Sequence, residues 1–415
     1  MNEAKLSVMA WRNLWRHTRR TLITLSAIAF GTFLAIIFTG IGDATYGGMI
    51  DLAARLGSGH VTVQHPKYLD KPTLNRTITG VKEKSAIAMK DSEVKKVVNR
   101  ISGNVMLATA GESYGAGFIA IDPAIEDEDT FALMDDFSEG EMFATSRDKG
   151  IILGTTLAKN LGVKMGKKVV YTMTDKNGDI TSGLARVSGI IKTGAPGIDL
   201  GLCILPIDTA RKILSYSSDE STSIAIYIND QRDSNKVRDR LRPSFEPENA
   251  IHIWSETQPE LAGFITMKVS GSKFFEMIIM ILVAAGIFNT LFISVMERMR
   301  EFGILMAIGM SPGGLFRLVM WESFWLGISG LILSAFVTAW PYWYLNTTGI
   351  DMTAMVGEGT AEIAGVGFDP ILHVSIFPEN LIIIISAAMI ATLLSGLYPA
   401  LRAGRVNPVE TIRLV

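Results

Sequence analysis

Four stretches long enough to cross a bilayer carry no charged side chain, and no other feature constrains the fold of this chain as strongly. They are residues 21–42, 277–296, 323–345 and 381–401. A hydrocarbon core of about 30 Å takes about 20 apolar residues in a helix. Inside lipid, a single apolar stretch satisfies its own backbone only by becoming helical. The sequence therefore predicts four transmembrane helices. The whole chain fits that reading: of 415 residues, 48% are hydrophobic and 19% charged, a balance richer in apolar residues than soluble proteins show. The first stretch is long for a cleaved signal peptide, and no good small-residue cleavage site follows it, so it reads as a retained span.

Positive charge is local, because the net charge is only -2 and gives no global footprint for nucleic acid. Lys5, Arg12, Arg16, Arg19 and Arg20 precede the first stretch; Arg298, Arg300 and Arg317 lie between the second and third; Arg402, Arg405 and Arg413 follow the fourth. Lysine and arginine collect in cytoplasmic loops, so these segments and both termini are expected inside. Two segments then face outward, one very long and one shorter, from about 346 to 380. Trp340, Tyr342, Trp343 and Tyr344 read as an aromatic belt at the outer interface.

The long outward segment has the composition of a domain that folds in water. Strands are expected at 60–64, 151–153, 168–173, 184–191 and 224–229, with helices at 155–161 and 234–241. That alternation predicts an α+β domain. Asp175, Asn177 and Asp179 imitate the start of a calcium loop, yet Ile180 stands where glycine is required and Arg186 where the bidentate glutamate belongs. The Asn177-Gly178 pair reads as a hairpin turn instead. The acidic stretch with Asp122, Glu126, Asp127, Glu128, Asp129, Asp135 and Asp136 is expected to be a solvated loop. The single cysteine, Cys203, has no intrachain partner for a disulfide and reads as a buried thiol.

Catalytic patterns are missing from the sequence. No phosphate-binding loop occurs; Gly166 precedes two lysines but lacks the upstream glycine and the hydroxyl that holds magnesium. His17, His60, His65, His252 and His373 have no zinc-binding spacing, and there is no nucleophile elbow. No catalytic, cofactor-binding or metal-binding residues are expected.

Between the second and third apolar stretches, residues 297–312 begin charged and turn apolar, too short and too charged to span. A surface helix is expected there, with Gly309 as its stop, Ser311 as the next N-cap and Pro312 in the following first turn. Such an element suits docking, offering charge for orientation and Ile304, Leu305 and Ile308 for a groove. Glu322 sits at the start of the third stretch, where a carboxylate is costly unless it is paired or reaches the headgroups. Arg317 or a partner's surface is the expected counter-charge.

The stretch from Glu297 through Ala307-Ile308-Gly309 to Pro312 resembles the coupling region of FtsX-like, MacB-type ABC permeases. Tyr398-Pro399-Ala400 with Arg402, Ala403 and Arg405, then Asn407-Pro408-Val409-Glu410 to Arg413, resembles the closing motif of that family. Ala10-Trp11-Arg12-Asn13-Leu14-Trp15-Arg16 resembles its N-terminal interfacial helix. Gly150 to Gly154, Leu157-Ala158 and Leu161-Gly162-Val163 with Gly166 are similar to its porter and Sabre lobes, as is Ile253-Trp254-Ser255-Glu256 with Pro259-Glu260-Leu261. Four spans without a fused ATPase are most similar to the lipoprotein-releasing (LolC/LolE-type) permeases.

The resemblance implies an α-helical membrane protein with four transmembrane helices and a large α+β extracytoplasmic domain of porter-like and Sabre-like lobes. The implied order is an interfacial helix at 1–20, spans at 21–42, 273–296, 315–345 and 381–401, a periplasmic domain at 43–272, a coupling helix at 297–314, an outer loop at 346–380 and a cytoplasmic tail at 402–415. It further implies mechanotransmission in the bacterial inner membrane. A separate ABC ATPase dimer supplies ATP and Mg chemistry and engages Arg298, Arg300, Glu301, Phe302, Gly303, Ile304, Leu305, Ile308 and Gly309. A second permease subunit, identical or related, completes the membrane part. The expected cargo is a lipoprotein moved toward the outer membrane, with a possible periplasmic carrier or adaptor. Efflux of an amphiphilic small molecule or peptide, and relay of ATPase motion to an extracytoplasmic hydrolase, are the alternatives the resemblance leaves open.

Overall fold

A computed structural model describes residues 3–134, 136–193, 196–356, 362–363, 366–367 and 371–405. Among them, four helices are long and apolar enough to cross a membrane. The chain divides into two compact units: Met1–Ala44, Met267–Ile350 and Ile371–Val415 make one, and Thr45–Thr266 with Asp351–Pro370 make the other. Asp135, the Asn407 to Arg413 part of the closing motif and, within the 346–380 segment, residues 357–361, 364–365 and 368–370 lie outside the described residues.

The apolar unit is helical. Its elements are α1 (Glu3–Leu14), α2 (Thr18–Ala53), α3 (Pro259–Glu297), α4 (Met299–Ala307), α5 (Pro312–Thr347) and α6 (Pro378–Gly404). Even α6, with 27 residues, extends ~40 Å at the helical rise of ~1.5 Å per residue. The breaks have local causes. Gly309 adopts φ +100, a left-handed conformation that ends α4, and the Ser311 hydroxyl accepts a hydrogen bond from Gly314 N at 3.2 Å to start α5. At the start of α6, Asp43 of α2 accepts from Phe377 N and from Asn380 Nδ2, both at 2.9 Å. The sequence places Asp43 at the edge of the outer domain, whereas its carboxylate caps a helix of the apolar unit.

Close approach of these helices depends on small residues, as in other proteins packed within lipid. A Cβ on Gly31 would sit 2.4 Å from Val283 of α3, and one on Gly330 2.6 Å from Ile28 of α2. Around these contacts Leu25, Ile28, Ile287, Leu291 and Leu326 form a buried cluster joining α2, α3 and α5. The segment expected as an outer loop contains short strand pairs, Ile350–Asp351 with Ile371–Leu372 and Glu362–Ile363 with Val366–Gly367.

In its Thr45–Thr266 part the second unit has twelve strands among the described residues: β1 (Val61–Gln64), β2 (Ile78–Thr79), β3 (Val94–Ala108), β4 (Ser113–Ile121), β5 (Phe137–Gly140), β6 (Gly150–Gly154), β7 (Lys168–Thr174), β8 (Ile180–Ile191), β9 (Leu202–Pro206), β10 (Glu220–Ser221), β11 (Ser223–Ile228) and β12 (Ala250–Ile253). The order β12-β1-β11-β3 forms one antiparallel lobe. Helices Val81–Ala88 and Ser234–Phe245 contribute Val81, Ala88, Val237, Leu241 and Phe245 to its core. Beyond Arg100, β3 enters a second lobe in which β3-β4-β9-β6-β8-β7 pair in sequence and β7 returns to β3. The ring closes on itself and leaves no exposed edge among its six strands. Leu107, Phe118, Leu153, Val169, Tyr171 and Cys203 belong to its core cluster. Burial pushes the Cys203 thiol well above its ordinary pKa, so it is unreactive while the domain is folded.

The turn between β7 and β8 is the hairpin that the sequence predicts. Asp175 accepts from Asn177 N and Asp179 N, both at 2.9 Å, and Gly178 takes φ +93. The acidic stretch departs from its expectation as a solvated loop. Glu126 is buried and accepts from Arg100 Nε at 2.8 Å and Nη2 at 2.9 Å, with both side chains about 1% exposed. Arg100 also donates to Gly57 O at 2.9 Å and Thr130 O at 2.6 Å, and lies 5.3 Å from the Phe131 ring centre. Every oxygen around this guanidinium is a real acceptor, which is what makes a buried arginine tolerable. The surrounding Asp127 and Asp129 do reach the surface, where they pair with Lys96 and Lys95.

Removing Arg100 strands a buried carboxylate. We expect Arg100→Met to lower the stability of this domain by about 3–5 kcal/mol, and Arg100→Met with Glu126→Gln to recover part of the loss. Labelling of Cys203 in the full chain across a urea series measures this, since Cys203 is the only thiol. Equal midpoints for wild type and Arg100→Met refute it.

Candidate functional site

Short α4 is the element singled out by its sequence, and its orientation follows from one backbone break. Arg298 leaves helical geometry at φ -100 and ψ 9, ending α3 and restarting the chain as α4. The same residue turns its side chain inward, so that it is only 6% exposed. Its Nη1 donates to both Glu322 oxygens, at 2.9 and 3.0 Å, and its Nε donates to Glu301 Oε2 at 3.3 Å. Asn13 Nδ2 of α1 completes the carboxylate at 2.8 Å from Glu322 Oε1. The Arg298 guanidinium is 5.0 Å from the Phe302 ring centre, close enough for a cation–π contact.

Burial opposes the charge on Arg298, but Glu322 and Glu301 outweigh it and hold its pKa above that of an ordinary arginine. The Glu322 side chain is 7% exposed, too enclosed for a carboxylate reaching to headgroups. The expected partner, Arg317, is engaged elsewhere, pairing with Glu3 of α1. Arg317 is near Glu322 in sequence, but at five positions along one helix the two side chains point to different faces. The turn at Arg298 brings in a residue 24 positions away.

A second layer of charge surrounds this pair. Arg16 reaches Glu301 Oε1 at 3.1 Å, and Arg20 reaches Glu297 Oε2 at 2.6 Å and Ser294 Oγ at 2.7 Å. Beneath lie Leu6, Ala10, Val295, Phe302, Leu315, Leu318, Val319, Ala400 and Ala403, all buried. Helices α1, α3, α4, α5 and α6 thus meet on one apolar floor capped by a polar network.

The nine residues expected to couple with an ATPase separate by face. Arg298, Phe302 and Gly303 are buried; Glu301 and Leu305 are half-buried; Arg300, Ile304, Ile308 and Gly309 are exposed. Arg300, Ile304 and Ile308 recur every fourth residue, which places them in one outward stripe. Ile304 is 50% and Ile308 78% exposed, an uncommon position for two isoleucines, one in the last turn of a short helix and one at its C-cap. The sequence placed Asn13, Arg16 and Arg20 in the basic interfacial segment but not their partners, since polar residues before a span give no signal of which carboxylate they meet.

Residues 273–408 match the FtsX-like permease C-terminal family, and residues 21–244 match the MacB-like periplasmic core domain. The chain is 23% identical over 279 residues to the lipoprotein-releasing system transmembrane protein LolC of Xylella fastidiosa, covering 63% of this chain and 64% of that protein. It therefore spans less than two thirds of that relative. It is 24% identical over 415 residues to an uncharacterized ABC transporter permease of Methanocaldococcus jannaschii, covering 97% and 96%. Among solved structures, the periplasmic region of MacB from Actinobacillus actinomycetemcomitans aligns with 50% of this chain and 94% of its own at 15% identity, with a TM-score of 0.35.

Deleting one member of the central pair exposes its energetic role. Glu322→Gln leaves a buried guanidinium short of a counter-charge, and we expect a loss on the order of 3–5 kcal/mol in the apolar unit. Arg298→Gln combined with Glu322→Gln is expected to cost little more than either change alone, because the two act as one unit. Thermal midpoints of the four proteins in detergent test this; strictly additive losses would refute the pairing.

Proposed function

The chain belongs to the family of ABC transporter permeases that joins an FtsX-like C-terminal region to a MacB-like periplasmic core domain, and on that premise we propose that it relays motion from a separate ATPase dimer through α4. The observation that carries this reading is the face segregation of α4. Its inward face is locked to α1 and α5 through Arg298, Glu322 and Phe302, while its outward stripe of Arg300, Ile304 and Ile308 is exposed among the described residues. A helix held rigidly on one side and apolar on the other transmits a push without absorbing it.

In this reading ATP and Mg bind the partner, a second permease subunit completes the transporter, and both termini face the cytoplasm with the β-rich domain outside. Helices α2 and α3, with 36 and 39 residues, exceed what a bilayer requires and act as the levers. The cargo is a lipid-anchored protein released from the inner membrane. Similarity to LolC supports that choice, and a lipid-facing site would admit an acylated substrate without a water-filled channel.

Glu301 is held by Arg16 and Arg298, so charge reversal there disturbs the scaffold as well as the surface. Arg300→Glu with Ile308→Asp confines the change to the outward stripe. With the ATPase partner in liposomes, this double variant is expected to retain assembly and lose at least tenfold in transport per ATP hydrolysed; unchanged coupling would move the contact elsewhere. For orientation, a cysteine at the exposed hairpin position, Asn177→Cys, should label from outside intact cells and Arg405→Cys should not. The reverse pattern overturns the topology.

A further inference from the structure

Helix α1 and the turn that follows it carry more positive charge than the apolar unit consumes. Arg16 and Arg20 are engaged by Glu301 and Glu297, and Arg317 by Glu3. Lys5, Arg12 and Arg19 are exposed, and none of them has an acidic partner among the described residues. They are not scattered. Lys5, Val8, Arg12, Trp15 and Arg19 follow one another at alternating intervals of three and four, the spacing that aligns side chains along one helical face. This face lies opposite the one that buries Leu6 and Ala10. Two of its members are apolar and exposed, Val8 at 55% and Trp15 at 41%.

A row of aromatic rings fixes the depth of that face. Trp15 and Trp11 have ring centres 5.7 Å apart, Trp11 and Trp325 5.2 Å, Trp325 and Phe324 6.0 Å, and Phe324 and Trp321 5.3 Å. On α5 the indole nitrogens are committed, with Trp321 Nε1 donating to Glu3 at 3.1 Å and Trp325 Nε1 to Ser7 at 3.0 Å. The row stands at the point on α5 where the charged turn gives way to the apolar run. Tryptophans at such a boundary sit at headgroup level.

We propose that this face, formed by α1, the turn at Trp15 and the start of α2, binds anionic phospholipid headgroups, with Lys5, Arg12 and Arg19 on the phosphates and Val8 and Trp15 entering the acyl boundary. Charge complementarity selects an anion, and the interleaved apolar residues select a lipid over a free phosphate, which would use only the cations. The proposal does not depend on the ATPase-coupling reading, since it uses neither the outward stripe of α4 nor the orientation of the chain.

The test uses the full chain in mixed micelles of phosphatidylglycerol and phosphatidylcholine, with retained lipid counted by native mass spectrometry. Wild type is expected to retain phosphatidylglycerol preferentially. Lys5→Gln with Arg12→Gln and Arg19→Gln should lose that preference, about fivefold per charge removed, while Lys5→Arg with Arg12→Lys and Arg19→Lys keeps it. An unchanged preference in the neutralised variant overturns the proposal. So does displacement of phosphatidylglycerol from wild type by millimolar inorganic phosphate alone, which marks a free-anion site. Loss of a co-purifying ATPase in the neutralised variant, with lipid preference intact, overturns it in favour of an acidic protein surface.

Discussion

The pairing of Arg298 with Glu322 is the contact on which the rest of the helical unit depends. It joins the end of α3 to the first turns of α5, takes in Asn13 from α1, and is covered by Phe302 from α4. Four elements are fixed by one carboxylate. In an apolar setting neither charge is tolerable alone, so the cost of separating them holds all four together. Arg298 Nη1 sits between both Glu322 oxygens while its Nε is taken by Glu301, so orientation as well as distance is fixed.

A second buried arginine has the same role in the β-rich domain. Arg100 satisfies Glu126 and reaches carbonyls in two other segments, at Gly57 and Thr130. It stands on β3, the strand shared by the antiparallel lobe and the closed ring. In both units the strongest polar contact is thus placed where several elements meet, and the apolar cores on either side provide bulk burial without directional specificity. The closed ring solves a separate problem. Strand edges are adhesive, and returning β7 to β3 leaves the six strands without one.

The helix boundaries around α4 were legible because they rest on local chemistry. Gly309, Ser311 and Pro312 each impose a backbone preference that needs no tertiary support, and the structure uses all three as read. The same holds for the Asn177-Gly178 hairpin. Faces and partners were harder to read. A charged residue such as Arg298 or Glu126 looks like a surface group in one dimension, and only the arrival of a counter-charge from 24 or 26 positions away makes its burial affordable. The split of the nine residues expected to couple into inward and outward sets was hidden for that reason, although the four-residue recurrence of Arg300, Ile304 and Ile308 was visible.

By itself the sequence determined that the chain has four apolar helices, because lipid leaves the backbone no other way to satisfy its hydrogen bonds. It also determined where a soluble-type domain interrupts them, since that composition cannot be buried in hydrocarbon. Tertiary structure alone decided which carboxylate pairs with which arginine, that β3 belongs to two lobes, and which side of α4 is left bare. Those outcomes depend on contacts between distant segments, whose energies arise only when the chain is folded and the charges have left water.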